Sequence, residues 1–157
     1  MKDTVISLSA EQQARFIEGH DARHRPTHAW DFVAMAGAGA IRSTASDMLI
    51  YLDAQLHPEK FPALAKAIEQ THELRADALL GMHVGLAWLH VDGSGFYWHN
   101  GGTGGYSSYA FFDPRNDCAG VVLYNATVGD NFASFADLLG AHIRQRLTGA
   151  TPVSLGR

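Results

Sequence analysis

The sequence predicts an α+β fold: an antiparallel sheet of about four strands flanked by helices, with a C-terminal helix packed on the sheet. Three observations predict it. Met48, Leu49, Leu52 and Leu56 recur at helical spacing in the first half of the chain. After residue 82 the period changes to two, and four β-prone runs follow one another with short turns between them. A last apolar stripe at helical spacing, Phe132, Phe135, Leu139, Ile143 and Leu147, must then cover a face of that sheet. The 157 residues are 46% hydrophobic and 18% charged, enough apolar material for a core. Residues 1–150 are read as one domain and residues 151–157 as a frayed tail.

Each element has a local cause. Ser9-Ala10-Glu11-Gln12 reads as a capping box that opens a short helix reaching Phe16 or Ile17. Gly19 to Ala29, rich in His, Arg and Asp and containing Pro26, reads as an irregular surface segment. Thr44, with Asp47 three residues on, caps the helix whose inner face is Met48, Leu49, Leu52 and Leu56. Pro58 starts a second helical pattern through Leu64 and Ile68 to about Thr71, and Leu74 to Gly81 fits no single period. The strands are His83–Val91, Phe96–Gly101, Tyr106–Phe112 and Ala119–Asn125, the first two joined by the turn Asp92-Gly93-Ser94-Gly95. Asp130 or Asn131 is the expected cap of the final helix.

Composition removes several classes of function. A net charge of −4 and no basic stripe argue against nucleic acid. No apolar run reaches membrane-spanning length, and Met1 to Ile6 shows no signal-peptide pattern. The lone Cys118 lies in an apolar strand pattern and reads as a small core residue. Gly37-x-Gly39-x-x-Arg42 imitates a dinucleotide turn but places arginine where a small residue is required, so it reads as a tight crossing before a capped helix. His20, His24 and His28 recur every four residues, yet Gly19 and Pro26 interrupt any helix there, so they read as loop histidines and not as metal ligands. No cofactor or metal site is expected.

The most specific stretch is His99-Asn100-Gly101-Gly102-Thr103-Gly104-Gly105. Aromatic residues lead into it and a second strand follows, so it reads as a hairpin whose first strand ends in bare backbone beside one histidine. Glycine weakens a strand unless something must approach closely, here a substrate bound through the backbone. The plainer alternative is a glycine bend that curves the sheet.

Taken with Gly39-Ala40-Ile41-Arg42-Ser43-Thr44-Ala45-Ser46-Asp47-Met48, Gly85-Leu86-Ala87-Trp88 and Val121-Val122-Leu123-Tyr124-Asn125, this stretch resembles the serine β-lactamase and penicillin-binding-protein-like hydrolases. The resemblance is to the class C β-lactamase, D-alanyl-D-alanine carboxypeptidase and esterase branch, and it covers nearly the whole chain. It implies that His99-Asn100-Gly101 is the His-x-Gly form of the family's third motif. Gly102 would then supply half of the oxyanion hole through its N–H, His99 would orient the substrate or the proton relay, and Gly101 would leave room for the acyl group. The family's Ser-x-x-Lys motif is missing: none of Lys2, Lys60 and Lys66 follows a serine at that spacing. Tyr106-Ser107-Ser108 fits the family's Tyr-x-Ser motif in letters but falls after the third motif, where the family places it before. The chain therefore reads as about the second half of the catalytic domain, with no complete catalytic set and inactive alone. The intact protein would be periplasmic or secreted and would hydrolyse a small acyl substrate: a β-lactam, a D-Ala peptide or an ester. The partner would be the missing N-terminal half, or a second copy in a homodimer. The alternative is a non-catalytic binding or self-associating module with the same fold.

Overall fold

The computed structural model describes residues 1–32, 34–127 and 133–156. Its helices are α1 (Ala10–Arg15), α2 (Ala45–Leu56), α3 (Ala65–His72) and α4 (Phe135–Leu147). The main sheet has six antiparallel strands in sequence order: β3 (Ala76–Asp77), β4 (Met82–Val84), β5 (Leu89–Val91), β6 (Tyr97–Thr103), β7 (Tyr106–Asp113) and β8 (Cys118–Tyr124). The mixed architecture, with a C-terminal helix lying on β7 and β8, is the one the sequence predicts.

The period-two pattern divides the sheet into two faces. Tyr109, Phe111 and Val122 point to one face, where Ala136 of α4 and the ring of Phe96 close the first core, with Trp98, Tyr124, Leu139 and Ile143 packed around it. Phe112 points to the other, where it meets Leu52 of α2 and Trp88, with Tyr97, Ala110, Ala119 and Val121 alongside. Phe111, Phe112 and Leu52 are essentially without solvent contact. Asp113, buried to 1% exposure, holds the β7–β8 hairpin: its Oδ1 accepts the N–H groups of Arg115 (3.0 Å) and Asn116 (3.2 Å).

Local capping predicts two helix starts correctly. Ser9 forms the reciprocal box with Gln12, and the Thr44 hydroxyl accepts the Asp47 N–H at 3.2 Å. The last helix is capped by Ser134, in a box with Asp137, and not by Asp130 or Asn131. Asp130, Asn131 and Phe132 lie outside the described residues.

Four further expectations change. On α2, Leu52 and Leu56 face the core as expected, but the other buried positions are Asp47, Ala54 and Gln55, and Leu49 is 49% exposed. Two polar residues take inner positions because each has a hydrogen-bonding partner there: Asp47 accepts the Asp3 N–H (2.8 Å) and the Thr4 hydroxyl (2.9 Å), and Gln55 Oε1 lies 2.8 Å from His72 Nε2. The second helical pattern divides into a 3₁₀ turn at Pro58–Lys60 and then α3. The run His83–Val91 is not one strand but β4 and β5, with a turn at residues 85–88. There Leu86 N–H donates to the Thr71 carbonyl (3.0 Å), and a Cβ on Gly85 would sit 2.3 Å from that same oxygen. The histidine-rich segment carries a small ladder of its own, β1 (Gly19–His20) against β2 (Pro26–Thr27).

Candidate active site

The glycine-rich strand is two-faced along its length. Tyr97 and Trp98 pair with β7 on one side and with His90 and Leu89 of β5 on the other. From His99 to Thr103, β6 pairs only with β7, so among the described residues this half of the strand presents an open edge. His99, Asn100, Gly101 and Gly102 are all exposed. The structure thus brings the four predicted site residues together on one accessible stretch of backbone.

Register assigns their faces. His99 lies opposite Ala110 and Gly101 opposite Ser108, and Ser108 is in turn opposite Leu123. Tyr97, Ala110 and Phe112 on this face pack under α2 and Trp88. Further along, the same face carries His99, Gly101, Ser108 and Leu123, and Leu123 is 45% exposed. A Cβ at Gly101 would come within 2.8 Å of Ser108 Oγ, so glycine lets the two strands lie close and keeps this surface flat. Ser108 and Leu123 were not among the residues predicted for this site. Leu123 sits in a continuous apolar run, and periodicity cannot show that one end of such a run is left uncovered.

His99 Nδ1 hydrogen-bonds the carbonyl of Asn100. With that nitrogen donating, Nε2 carries the lone pair and is free to accept a proton or a hydrogen bond. An open strand edge and an exposed acceptor can together hold an extended acyl ligand. Acyl transfer needs in addition a nucleophile activated by a base. Among the described residues no serine hydroxyl is hydrogen-bonded to a lysine or a histidine.

The end of the hairpin is held by other elements. Thr127 Oγ1 donates to the Thr103 carbonyl (3.1 Å), His20 N–H to that of Gly105 (3.2 Å), and the Tyr106 hydroxyl to that of Ile17 (2.7 Å). Gly105 turns at φ +80°, and a Cβ there would meet the Gly19 backbone at 2.9 Å. Trp30 lies over Gly104, where a Cβ would be 2.4 Å from its indole. Gly104 and Gly105 are therefore structural, while Gly101 and Gly102 belong to the open surface. A cleft of about 790 Å³ lies beyond the hairpin end, lined by Phe16, Gly19, Trp30, Phe32, Arg42 and Tyr106 among others; His99 to Gly102 are not part of it.

The remaining candidates fall elsewhere. His20 binds the Asn125 carbonyl, and His24 occupies the β1–β2 loop at φ +58°. Gly37 lies in a 3₁₀ turn, Ala36–Ala38, that leads to a bridge between Val5 and Arg42. Cys118 is partly buried at the start of β8, and burial pushes its thiol up.

The family model for beta-lactamase matches residues 1–145, and the chain belongs to the beta-lactamase family. A beta-lactamase of Pseudomonas fluorescens is 30% identical over 89 residues, which are 56% of this chain and 25% of that protein. The fold is that of class C beta-lactamases. One such structure, in complex with cefoxitin, has a TM-score of 0.73 at 18% identity over 94% of this chain and 46% of its own. Another, from Rhodobacter sphaeroides, has a TM-score of 0.71 at 23% identity over 83% of this chain and 46% of its own. The chain thus spans less than half the length of these relatives.

Proposed function

We propose that residues 1–150 form the substrate-binding side of a beta-lactamase-like serine hydrolase, with the open half of β6 as its working surface. The observation that carries this reading is the run of four exposed residues, His99 to Gly102, on an edge that has no strand partner among the described residues. By its likeness to the His-x-Gly motif, this strand would lie along the acyl substrate, with the Gly102 N–H as one oxyanion donor and His99 Nε2 facing the substrate or the proton relay. Gly101 keeps the acyl group's approach clear. The substrate class is a β-lactam, a D-Ala peptide or an ester.

The nucleophile and its base would come from a complementary N-terminal portion, since the sequence offers no Ser-x-x-Lys. Without nucleophile, base and second oxyanion donor, the isolated chain falls below even the ~10³–10⁴-fold residual of serine hydrolases that have lost catalytic residues. The test is turnover of nitrocefin and p-nitrophenyl acetate by the chain alone, then with the N-terminal portion of a relative added in trans. The expected result is activity only in the mixture, lost again with His99→Ala. Turnover by the chain alone that His99→Ala abolishes, or a fluorophosphonate adduct on one of its own serines, overturns the reading.

The second reading is a self-associating module without catalysis. It is favoured by exposed Ile6, Ile17, Trp30, Met35 and Ile41, which line or flank the large cleft. Light scattering at tens of micromolar, roughly where such patches associate, separates a dimer from a monomer.

A further inference from the structure

We infer that His83 is a proton-operated clamp on the outer edge of the main sheet: its imidazolium bridges Asp77 of β3 and Asp92 beyond β5, and loss of the proton releases one of the two. This device stands on the geometry of the edge and does not rest on the hydrolase reading.

Both ring nitrogens of His83 face carboxylates. Nδ1 is 2.9 Å from Asp77 Oδ1, and Nε2 is 3.0 Å from Asp92 Oδ2. A neutral imidazole has one N–H and one lone pair, so it can donate to only one of these oxygens and turns a lone pair towards the other. Only the imidazolium turns an N–H towards each carboxylate. The three groups come from successive segments: Asp77 ends β3, His83 is its register partner in β4, and Asp92 opens the turn after β5.

The clamp acts on the shortest strand of the sheet, at its edge. β3 is two residues long and is held by its pairs with Val84 and His83, flanked by bonds from Arg75 N–H to the Val84 carbonyl (2.8 Å) and from Ala78 N–H to that of Met82 (2.7 Å). The imidazole is the sheltered member, at 25% exposure, while both carboxylates are largely in solvent. Other charges nearby are already engaged. Across the ladder from His83, His90 of β5 bonds the Phe96 carbonyl and packs on Tyr97, and Arg75, next to β3, pairs with Glu73.

The Asp92 carboxylate, and then that of Asp77, accepts from the ring and raises the imidazole above its ordinary value of 6.5, with burial opposing. A group whose folded value is raised contributes stability that is complete below its unfolded value and is lost as pH rises through the folded one. Acid therefore tightens the β3–β5 edge and alkali loosens it. Because the partners are exposed, the effect is local to the edge and not global.

The test is an NMR titration of the imidazoles in the full chain, with amide exchange read at residues 76–78 and corrected for intrinsic rates. His83 is expected to titrate above 6.5. Asp92→Asn and Asp77→Asn are each expected to lower that value, and exchange at Ala76 and Ala78 is expected to rise roughly threefold or more between pH 5.5 and 8.5. His83→Gln is expected to abolish the pH dependence of that exchange. Titration of wild-type His83 at or below 6.5 overturns the proposal, and so does an edge whose exchange is the same at both pH values. The wild-type measurements decide the matter even if a variant fails to fold.

Discussion

The two halves of β6 differ in almost every physical respect although one strand carries both. Tyr97 and Trp98 are aromatic, paired on both sides and packed into opposite cores: Tyr97 stacks on Phe112 at 4.9 Å, and Trp98 on Tyr109 at 5.5 Å. His99 to Gly102 are polar or bare, paired on one side and exposed. The contrast teaches how a glycine-rich surface can be held in a defined position. A strand without side chains contributes little to its own stability. The aromatic half anchors it at one end, and bonds from Thr127, His20 and Tyr106 fix the hairpin at the other. The open half is free to serve a ligand because its neighbours supply the packing.

The largest effects are expected where the packed half is damaged. Phe112→Ala removes a ring with no solvent contact that touches Trp88, Tyr97 and His72, and is expected to lower unfolding stability by about 3–5 kcal/mol in urea melts. His99→Ala, on the open half, is expected to change stability by less than about 0.5 kcal/mol. Equal losses in the two variants would break the comparison.

Gly140→Ala probes the contact of α4 with the sheet. The new Cβ would meet the buried Tyr109 ring at 2.2 Å, an overpacking expected to cost about 1–3 kcal/mol. The helix propensity gained, up to about 1 kcal/mol, offsets only part of it. Thermal melting should show a net loss, and a more stable variant would mean that α4 sits further from β7.

Gly101→Ala sharpens the distinction by separating stability from function. Its Cβ would press on Ser108 Oγ, a hydroxyl that can rotate aside, so a loss of under about 1 kcal/mol is expected in denaturant. In a complemented assembly the same substitution should remove most of the turnover; retained turnover would show that this part of the strand does not face the substrate.

The smallest effect concerns pH. Burial lowers the pKa of His72, whose ring packs against both Tyr97 and Phe112 and pairs with Gln55. A depressed histidine contributes stability that is present above its unfolded value, near 6.5, and is lost as pH falls through the folded one. Urea midpoints should therefore decline on acidification, and His72→Gln should flatten the decline. The sign is opposite to that of His83, so the packed region and the sheet edge respond to acid in opposite directions.

Much of this was legible in the sequence because its causes are local. Ser9 and Thr44 cap their helices through residues three positions away, and the alternation in β7 follows from the pleat. The glycine stretch marked the open strand, since glycine there needs an explanation that packing does not provide. The break between β4 and β5 was hidden, because the Thr71 carbonyl that turns the chain belongs to α3. Leu49 was misplaced because Asp47 and Gln55 take inner positions only when Asp3, Thr4 and His72 reach them.

The sequence alone determined the succession of a helical half, an antiparallel sheet and a covering helix, the two-faced pattern of the long strands and the residues of the exposed hairpin, since periodicity, capping and turn chemistry act over a few neighbours. The tertiary structure decided which half of β6 is covered, which glycines are structural and which carboxylates meet at His83. Those outcomes depend on segments distant in the chain packing against one another, and no local pattern encodes which partner will arrive.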